Sequence, residues 1–280
     1  MDGGQPVRRI ALLLEYDGTA FAGSQWQSSA RTVQEVLEAA LREFTGEGGD
    51  AGHPVSFAGR TDSGVHASGQ VAALSTQTRH SPATCRDALN HFLPEDVVVR
   101  AVAEVAVTFD PRRDAEARRY RYRIEDGRGR SPLRRRQAWQ VEWSLDHEAM
   151  AAAMALLPRE TRDWAAFGGP VPDGYPTRRT LLHASVERDG PAGEWGSGVE
   201  VVMEADGFLP HQVRRTIGAL QRVGSGRLDP HEFAAMVDGP PASAGPAAPP
   251  QGLTLVAVRY PPGTVDWNWN PGDRNPTGER

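Results

Sequence analysis

Residues Ala58–Ala72 read AGRTDSGVHASGQVA. The ends are small or apolar and the middle is polar. Asp62-Ser63-Gly64 carries a turn signal, in which Asp caps backbone amides and Gly supplies positive φ. The stretch is therefore predicted to be a polar loop between two strands, Val55–Gly59 and Gln70–Leu74. Taken alone, a D-S-G triplet identifies a turn and no chemistry.

Upstream, Arg8–Tyr16 alternates, placing Ile10, Leu12, Leu14 and Tyr16 on one face of a strand. The turn-rich DGTAFAGSQWQ follows at Asp17–Gln27, with Asp17 read as a turn cap. Thr32 and Glu35 then form a T-x-x-E capping box ahead of a helical stripe of Val33, Val36, Leu37, Ala40, Leu41 and Phe44. Downstream of the loop, a short helix over Thr84–Phe92 leads into a strand at Val97–Val105.

The second half repeats the alternation without visible sequence repetition. Strands are predicted at Ala117–Glu125, Gln137–Trp143, Thr180–Glu187, Val199–Ala205 and Leu253–Tyr260. Helices are predicted at Asp146–Leu157 and Gln212–Val223, with a short one opened by Asp229-Pro230. Gly239–Gly252 reads as a loop. Such a mixture indicates an α+β fold in two halves, 8–108 with the polar loop and 109–262. Tails of 1–7 and 263–280 flank them, the second polar and expected to be disordered. Strand order does not follow from sequence.

Composition closes several function classes. All 31 basic residues are arginine, so a Walker-type phosphate loop, pyridoxal chemistry and Schiff-base chemistry lack their Lys. GC-rich coding accounts for that bias. The eight His show no HExxH spacing, and one Cys makes no zinc knuckle. Cys85 alone excludes an intrachain disulfide, fits a reducing cytoplasm and is expected to be a small buried hydrophobe. No apolar run approaches the roughly 20 residues of a membrane span. The apolar stretch near the N-terminus is too short for a signal peptide and has no cleavage site after it.

The net charge of −5 opposes a nucleic-acid partner at first sight. Its distribution does not. Arg112–Arg136 holds eleven Arg against four acids, net +7, while the remaining residues are net −12. A basic segment on an acidic body concentrates a polyanion in one place. With Tyr120 and Tyr122 interleaved, the segment reads as an RNA contact, and Arg119 and Arg121 are its candidate binding residues. The alternative is a solvated arginine strand.

As a whole, the run Ala58–Ala72 resembles the catalytic signature of TruA-type tRNA pseudouridine synthases. Further blocks resemble the same family in order: YDGTAFAGSQWQ with TVQEVLEAAL, NHFLPEDVVV, ARRYRYRI, GFLPHQVRRTIGAL and APPQGLTLVAVRYP. Together they span about Ile10 to Tyr260. The resemblance implies two similar α+β halves with a basic cleft between them, a homodimer in the cytoplasm, and tRNA as partner. It also implies isomerisation of uridine to pseudouridine in the anticodon stem-loop, at positions 38–40. No cofactor is needed, because the base leaves C1′ through N1 and returns through C5 with nothing exchanged with a third molecule. A carboxylate serves such chemistry as nucleophile or as stabiliser of positive charge.

By resemblance that carboxylate is Asp62. Tyr120 matches the family tyrosine that stacks on the uracil or accepts a proton, and Arg214 matches the arginine paired with the catalytic Asp. Arg215 competes with Arg214 for that role. Arg60 pairs with the carboxylate, with the RNA backbone, or only with the loop. His66 either binds RNA or structures the loop. Tyr122 is read as core. Ser24, Asp110, Pro111, Arg113 and Pro210 depart from the family pattern and bear on substrate-loop contacts. Two other readings stand beside this one: an RNA-binding protein without catalysis, and a hydrolase of N-ribosyl bonds, which would release free uracil.

Overall fold

A computed structural model describes residues 7–46, 54–127, 129–190 and 197–267. In chain order the elements are β1 (Arg8–Tyr16), α1 (Val33–Thr45), β2 (Ser56–Phe57), β3 (His66–Thr76), α2 (Pro82–Phe92), β4 (Val97–Val105), β5 (Ala117–Asp126), β6 (Trp139–Val141), α3 (His147–Ala155), β7 (Arg162–Asp163), β8 (Arg178–Arg179), β9 (Leu181–Asp189), β10 (Gly198–Ala205), α4 (Gln212–Gly224), α5 (Pro230–Ala235) and β11 (Leu253–Arg259). The fold is α+β with mainly antiparallel pairing, as the alternation predicts. The short β7–β8 hairpin carries no apolar pattern and is not legible in sequence. Residues 1–6 and 268–280 of the expected tails lie outside the described residues.

The chain divides into two units. One takes the described residues up to Glu116 together with those from Leu255 on; the other is Ala117–Thr254. In the first, β1 lies between β3 and β4, antiparallel to both. Burial along β1 departs from simple alternation. Ala11 and Leu13 are buried as fully as Ile10, Leu12 and Leu14, so both faces of β1 are covered. The capping box of α1 forms in both directions, and Gly46, at φ 66°, closes its C-terminus. Ser81 caps α2, with Pro82 at its first turn. Cys85 is buried there, as expected.

In the second unit β10 lies between β5 and β9, and β6 runs parallel to β5. Trp164, Phe167 and Phe233 pack together, with ring centroids 5.9 and 5.8 Å apart. At the end of β5 the side chains of Asp126 and Arg188 are 0% and 7% exposed and form a bidentate pair of 2.8 and 2.7 Å. Leu145 adds its N–H to Asp126 at 2.7 Å and its carbonyl to Arg188 at 2.7 Å, which ties β5, β9 and the entry to α3. Burial pushes the Asp126 carboxyl up. The Arg188 and Leu145 hydrogen bonds outweigh it and hold the group below the usual carboxylate range.

Candidate active site

The polar loop belongs to the first unit and is held from several sides through Thr61, the residue before Asp62. The Ser24 N–H donates to the Thr61 carbonyl at 3.1 Å, and the Thr61 N–H donates to Ser24 Oγ at 2.9 Å. The Tyr16 and Thr61 hydroxyls share a hydrogen bond of 2.8 Å. Burial pushes the Tyr16 phenol up to about 12, so it stays a neutral hydroxyl at physiological pH. Gln70 donates to the Gly59 carbonyl at 2.8 Å and so fixes the start of the loop. Gly64 N–H and Ser63 Oγ both donate to the Phe21 carbonyl, at 3.2 Å each. Val65 N–H donates to Asp62 O at 3.1 Å and closes the turn.

Sequence reasoning places Tyr16 with the core face and Ser24 with the substrate loop. The structure shows something more specific. Ser24 is 0% exposed and latches the backbone beside Asp62. A serine in place of a bulky residue was the available signal. Gly18 explains how the opening turn fits, because a Cβ there would stand 2.0 Å from the Val65 carbonyl oxygen. Asp17 caps this turn through the Thr19 N–H at 3.0 Å, as read from sequence. Asp62 itself is half-buried, and Arg60 is exposed. His66 is buried, and its Nδ1 accepts the Gly18 N–H at 3.0 Å. The ring is thus built into the same turn.

Tyr120 and Arg214 belong to the second unit. On β5 the alternation holds: Tyr120, Tyr122 and Ile124 are buried, and Arg121 is exposed. Tyr122 is wholly buried and donates to the Pro249 carbonyl at 2.8 Å, a core role. Tyr120 meets Phe208 edge-on at 5.4 Å. After Phe208 the chain turns through His211, whose φ of 60° lies in the left-handed region that costs a non-glycine residue about 1 kcal/mol or more. Helix α4 starts there. Arg214 Nε donates to the Ala248 carbonyl at 2.8 Å, and the Ala248 N–H returns a bond to Arg214 O at 2.8 Å. Arg215 Nη1 is committed to the Ala242 and Gly245 carbonyls, at 2.9 and 3.1 Å.

The arginines of β5 face acids that the local charge count did not include. Arg119 reaches Glu204 at 2.7 Å, Arg121 reaches Glu200 at 3.8 Å, and Arg123 reaches Asp189 at 3.1 Å. The register puts Glu204 opposite Arg119 and Glu200 opposite Arg123, so strand pairing supplies the counter-charges. Arg130, Arg135 and Arg136, in the segment before β6, are exposed. Among the departures, Asp110 accepts the N–H groups of Arg112 and Arg113 at 2.9 and 3.0 Å, and Pro111 accepts from the Tyr260 hydroxyl at 2.7 Å. Both build the turn at 110–114. The Pro210 carbonyl accepts the Gly169 N–H at 2.7 Å.

An α+β chain that pins a polar Asp loop by buried hydroxyls, and carries a Tyr strand and an Arg helix in its second unit, fits an RNA-modifying enzyme. The family model for tRNA pseudouridine synthases matches it twice, over residues 12–112 and 161–261, in keeping with two similar halves. The chain belongs to that family. It is similar to proteins named tRNA pseudouridine synthase A from Roseiflexus castenholzii (45% identity, 91% of this chain and 92% of the relative), Methylobacterium nodulans (44%, 90% and 96%) and Geobacter sulfurreducens (41%, 91% and 100%). As a member it is an isomerase that converts uridine to pseudouridine in tRNA. Among the described residues no helix is long and apolar enough to cross a membrane.

Proposed function

We propose that this protein pseudouridylates the anticodon stem-loop, at positions 38–40, with Asp62 as its catalytic carboxylate. The observation that carries the reading is the clamp on Thr61: Tyr16 and Ser24 together fix the backbone next to Asp62. A reacting carboxylate must be held to within about half an ångström, and a plain turn needs no such support. In the same reading Tyr120 gives the displaced uracil a ring to stack on, and the Phe208 edge keeps that ring in place. Arg214 is the cation that the family pairs with its carboxylate. Its register with Phe208 and Gly218 favours Arg214 over Arg215. His66 acts by shaping the loop, and Arg60 by contacting the RNA backbone. The protein works as a cytoplasmic homodimer.

Incubation with unmodified tRNA, followed by chemical mapping of pseudouridine, tests the site assignment. Modification confined to other loops would overturn the anticodon target. Release of free uracil would move the chain to hydrolysis of N-ribosyl bonds. Binding without turnover would make it an RNA-binding protein.

Two substitutions address the remaining roles. If Tyr120 acts by stacking, Tyr120→Phe retains tRNA binding and Tyr120→Leu loses part of it. If the hydroxyl carries a proton, Tyr120→Phe is already nearly inactive. Wild-type rates in both variants would remove Tyr120 from the site.

Arg121 isolates the charge contact better than Arg119. Its 3.8 Å pair with Glu200 is loose and partly exposed, worth no more than about 1 kcal/mol. Glu204, by contrast, is only 5% exposed, so removing Arg119 would break an ion pair on a buried carboxylate. Arg121→Ala is therefore expected to fold normally and to weaken tRNA binding. The slope of log affinity against log salt should flatten by roughly 0.7–0.9 per lost phosphate contact. An unchanged slope would place this face away from the RNA.

A further inference from the structure

Trp26 is 54% exposed, unusual for the largest apolar side chain, yet the backbone that carries it is held tightly. Its N–H donates to Gln34 Oε1 at 2.9 Å, and Gln34 Nε2 is in turn fixed on Glu38 at 2.8 Å. Gln27 pairs with Ala30 and donates to the Ala22 carbonyl at 2.8 Å, which draws residues 24–31 into a small hairpin. Its base is closed by Ala22 N–H to Arg31 O at 2.9 Å. The Arg31 guanidinium lies over the Phe21 ring, 4.1 Å from its centroid, and forms two bonds to Asp96 of 2.7 and 2.9 Å. The other strand of the hairpin begins at Ser24, whose buried N–H and hydroxyl engage Thr61.

The Ser24–Thr61 hydrogen bonds thus join the hairpin directly to the Asp62 loop. Chain geometry puts the Trp26 Cα no more than about 17 Å from the Asp62 Cα, within reach of nucleotides flanking the reacting one. An indole displayed on a fixed backbone loses little freedom when it is covered. Every nucleobase offers it a flat face. Isolated exposed apolar residues are ordinary. An exposed indole fixed in register with an active-site loop is not, in an enzyme whose substrate is RNA.

We propose that Trp26 is a stacking platform for a tRNA base beside the target uridine, held in register with Asp62 by the Ser24–Thr61 pair. The inference rests on the reading of Asp62 as the reacting carboxylate. It makes Trp26 a binding residue and Ser24 a positioning residue. The flanking side chains Gln25 and Gln27 are exposed polar groups that can hydrogen-bond the edges and backbone of the RNA around a stacked base.

The experiment uses the full chain and unmodified tRNA. Equilibrium binding is measured in an Asp62→Asn background, so that no turnover intervenes. Trp26→Leu is expected to weaken binding by roughly 5- to 150-fold, and Trp26→Phe to stay within a few-fold of the parent. Parental affinity in Trp26→Leu would overturn the proposal. So would equal losses in the Leu and Phe variants, which would mean that the ring face is not what is recognised. A changed sedimentation mass of Trp26→Leu without RNA would assign the indole to a second copy of the chain, and would overturn it as well.

In the Asp62 enzyme, Ser24→Ala is expected to lower kcat at least tenfold with tRNA affinity retained, the split that distinguishes positioning from binding. An unchanged kcat would overturn the latch. Turnover by Asp62→Asn would defeat the reading of Asp62 and leave the binding comparison at Trp26 intact, so the two failures are distinguishable.

Discussion

Purified Asp62→Asn should fold, bind unmodified tRNA and form almost no pseudouridine. Asparagine keeps the size and much of the hydrogen bonding of aspartate but lacks its charge and its nucleophilic oxygen. Were Asp62 only a turn residue, the change would cost at most about 1–2 kcal/mol of stability, and activity would survive. The turn has other support in any case, since Val65 N–H to Asp62 O and the Thr61 clamp use groups that the substitution leaves in place. A carboxylate that reacts cannot be replaced in this way, and turnover should fall by roughly 10⁴-fold or more. Binding should persist, because affinity for RNA comes mainly from phosphate contacts elsewhere. Removing a negative charge near the RNA can even tighten it slightly. The measurement is pseudouridine formation beside a binding assay, in protein free of the host's own synthase. Substantial product from the variant would leave Asp62 as a turn residue.

The largest effect on stability is expected at Asp126. Asp126→Ala leaves Arg188, 7% exposed, with its charge buried and without its bidentate partner. Breaking such a pair from one side costs about 3–5 kcal/mol. It also leaves the Leu145 N–H without its acceptor at the junction of β5 and α3. The pH dependence follows from the direction of the shift. The folded carboxyl lies below its ordinary value, so the unfolded chain takes up the proton first as pH falls. The contribution is complete above about pH 5, begins to disappear near the unfolded value of about 3.9, and is lost as pH falls through the folded value. Denaturant titrations of the wild type and Asp126→Ala at pH 7 and pH 3 check this. The difference between the two proteins should be smaller at pH 3 than at pH 7, by no more than about 1.3 kcal/mol, because pH 3 lies less than one unit below the unfolded value. An equal difference at both values would mean that packing, not charge, is what the pair contributes.

The fold was legible in sequence wherever a local rule decides. Thr32 and Glu35 announce α1 because a capping box satisfies its own orphan amides, and both of its bonds are present. Alternation on β5 separates Tyr120 and Tyr122 from the arginines because successive side chains of a strand point to opposite faces. The same rule grouped Ile10, Leu12, Leu14 and Tyr16 on one face of β1, and all four are buried, but it leaves the second face open. Burial of Ala11 and Leu13 depends on what covers the second face of a strand with neighbours on both sides. The β7–β8 hairpin was missed because two-residue strands carry no period to read.

The site divides in the same way. The sequence by itself determined the family, and its resemblance pointed to Asp62, Tyr120 and Arg214 as the proposed site residues, because each lies in a short contiguous motif. Local charge also marked Arg112–Arg136 as basic, which is a property of composition. Only the tertiary structure decided where that charge goes. Glu200 and Glu204 lie some eighty residues from the arginines they face, and only the antiparallel register of β5 with β10 brings them together. The buried hydroxyls around Thr61 belong to the tertiary structure too. Tyr16 and Ser24 are 45 and 37 residues from Thr61 in the chain. No period or motif connects hydrogen-bonding partners at such separations. They meet because β1 pairs with β3 and the turn after β1 packs on the Asp62 loop, where the polar atoms excluded from water must find each other.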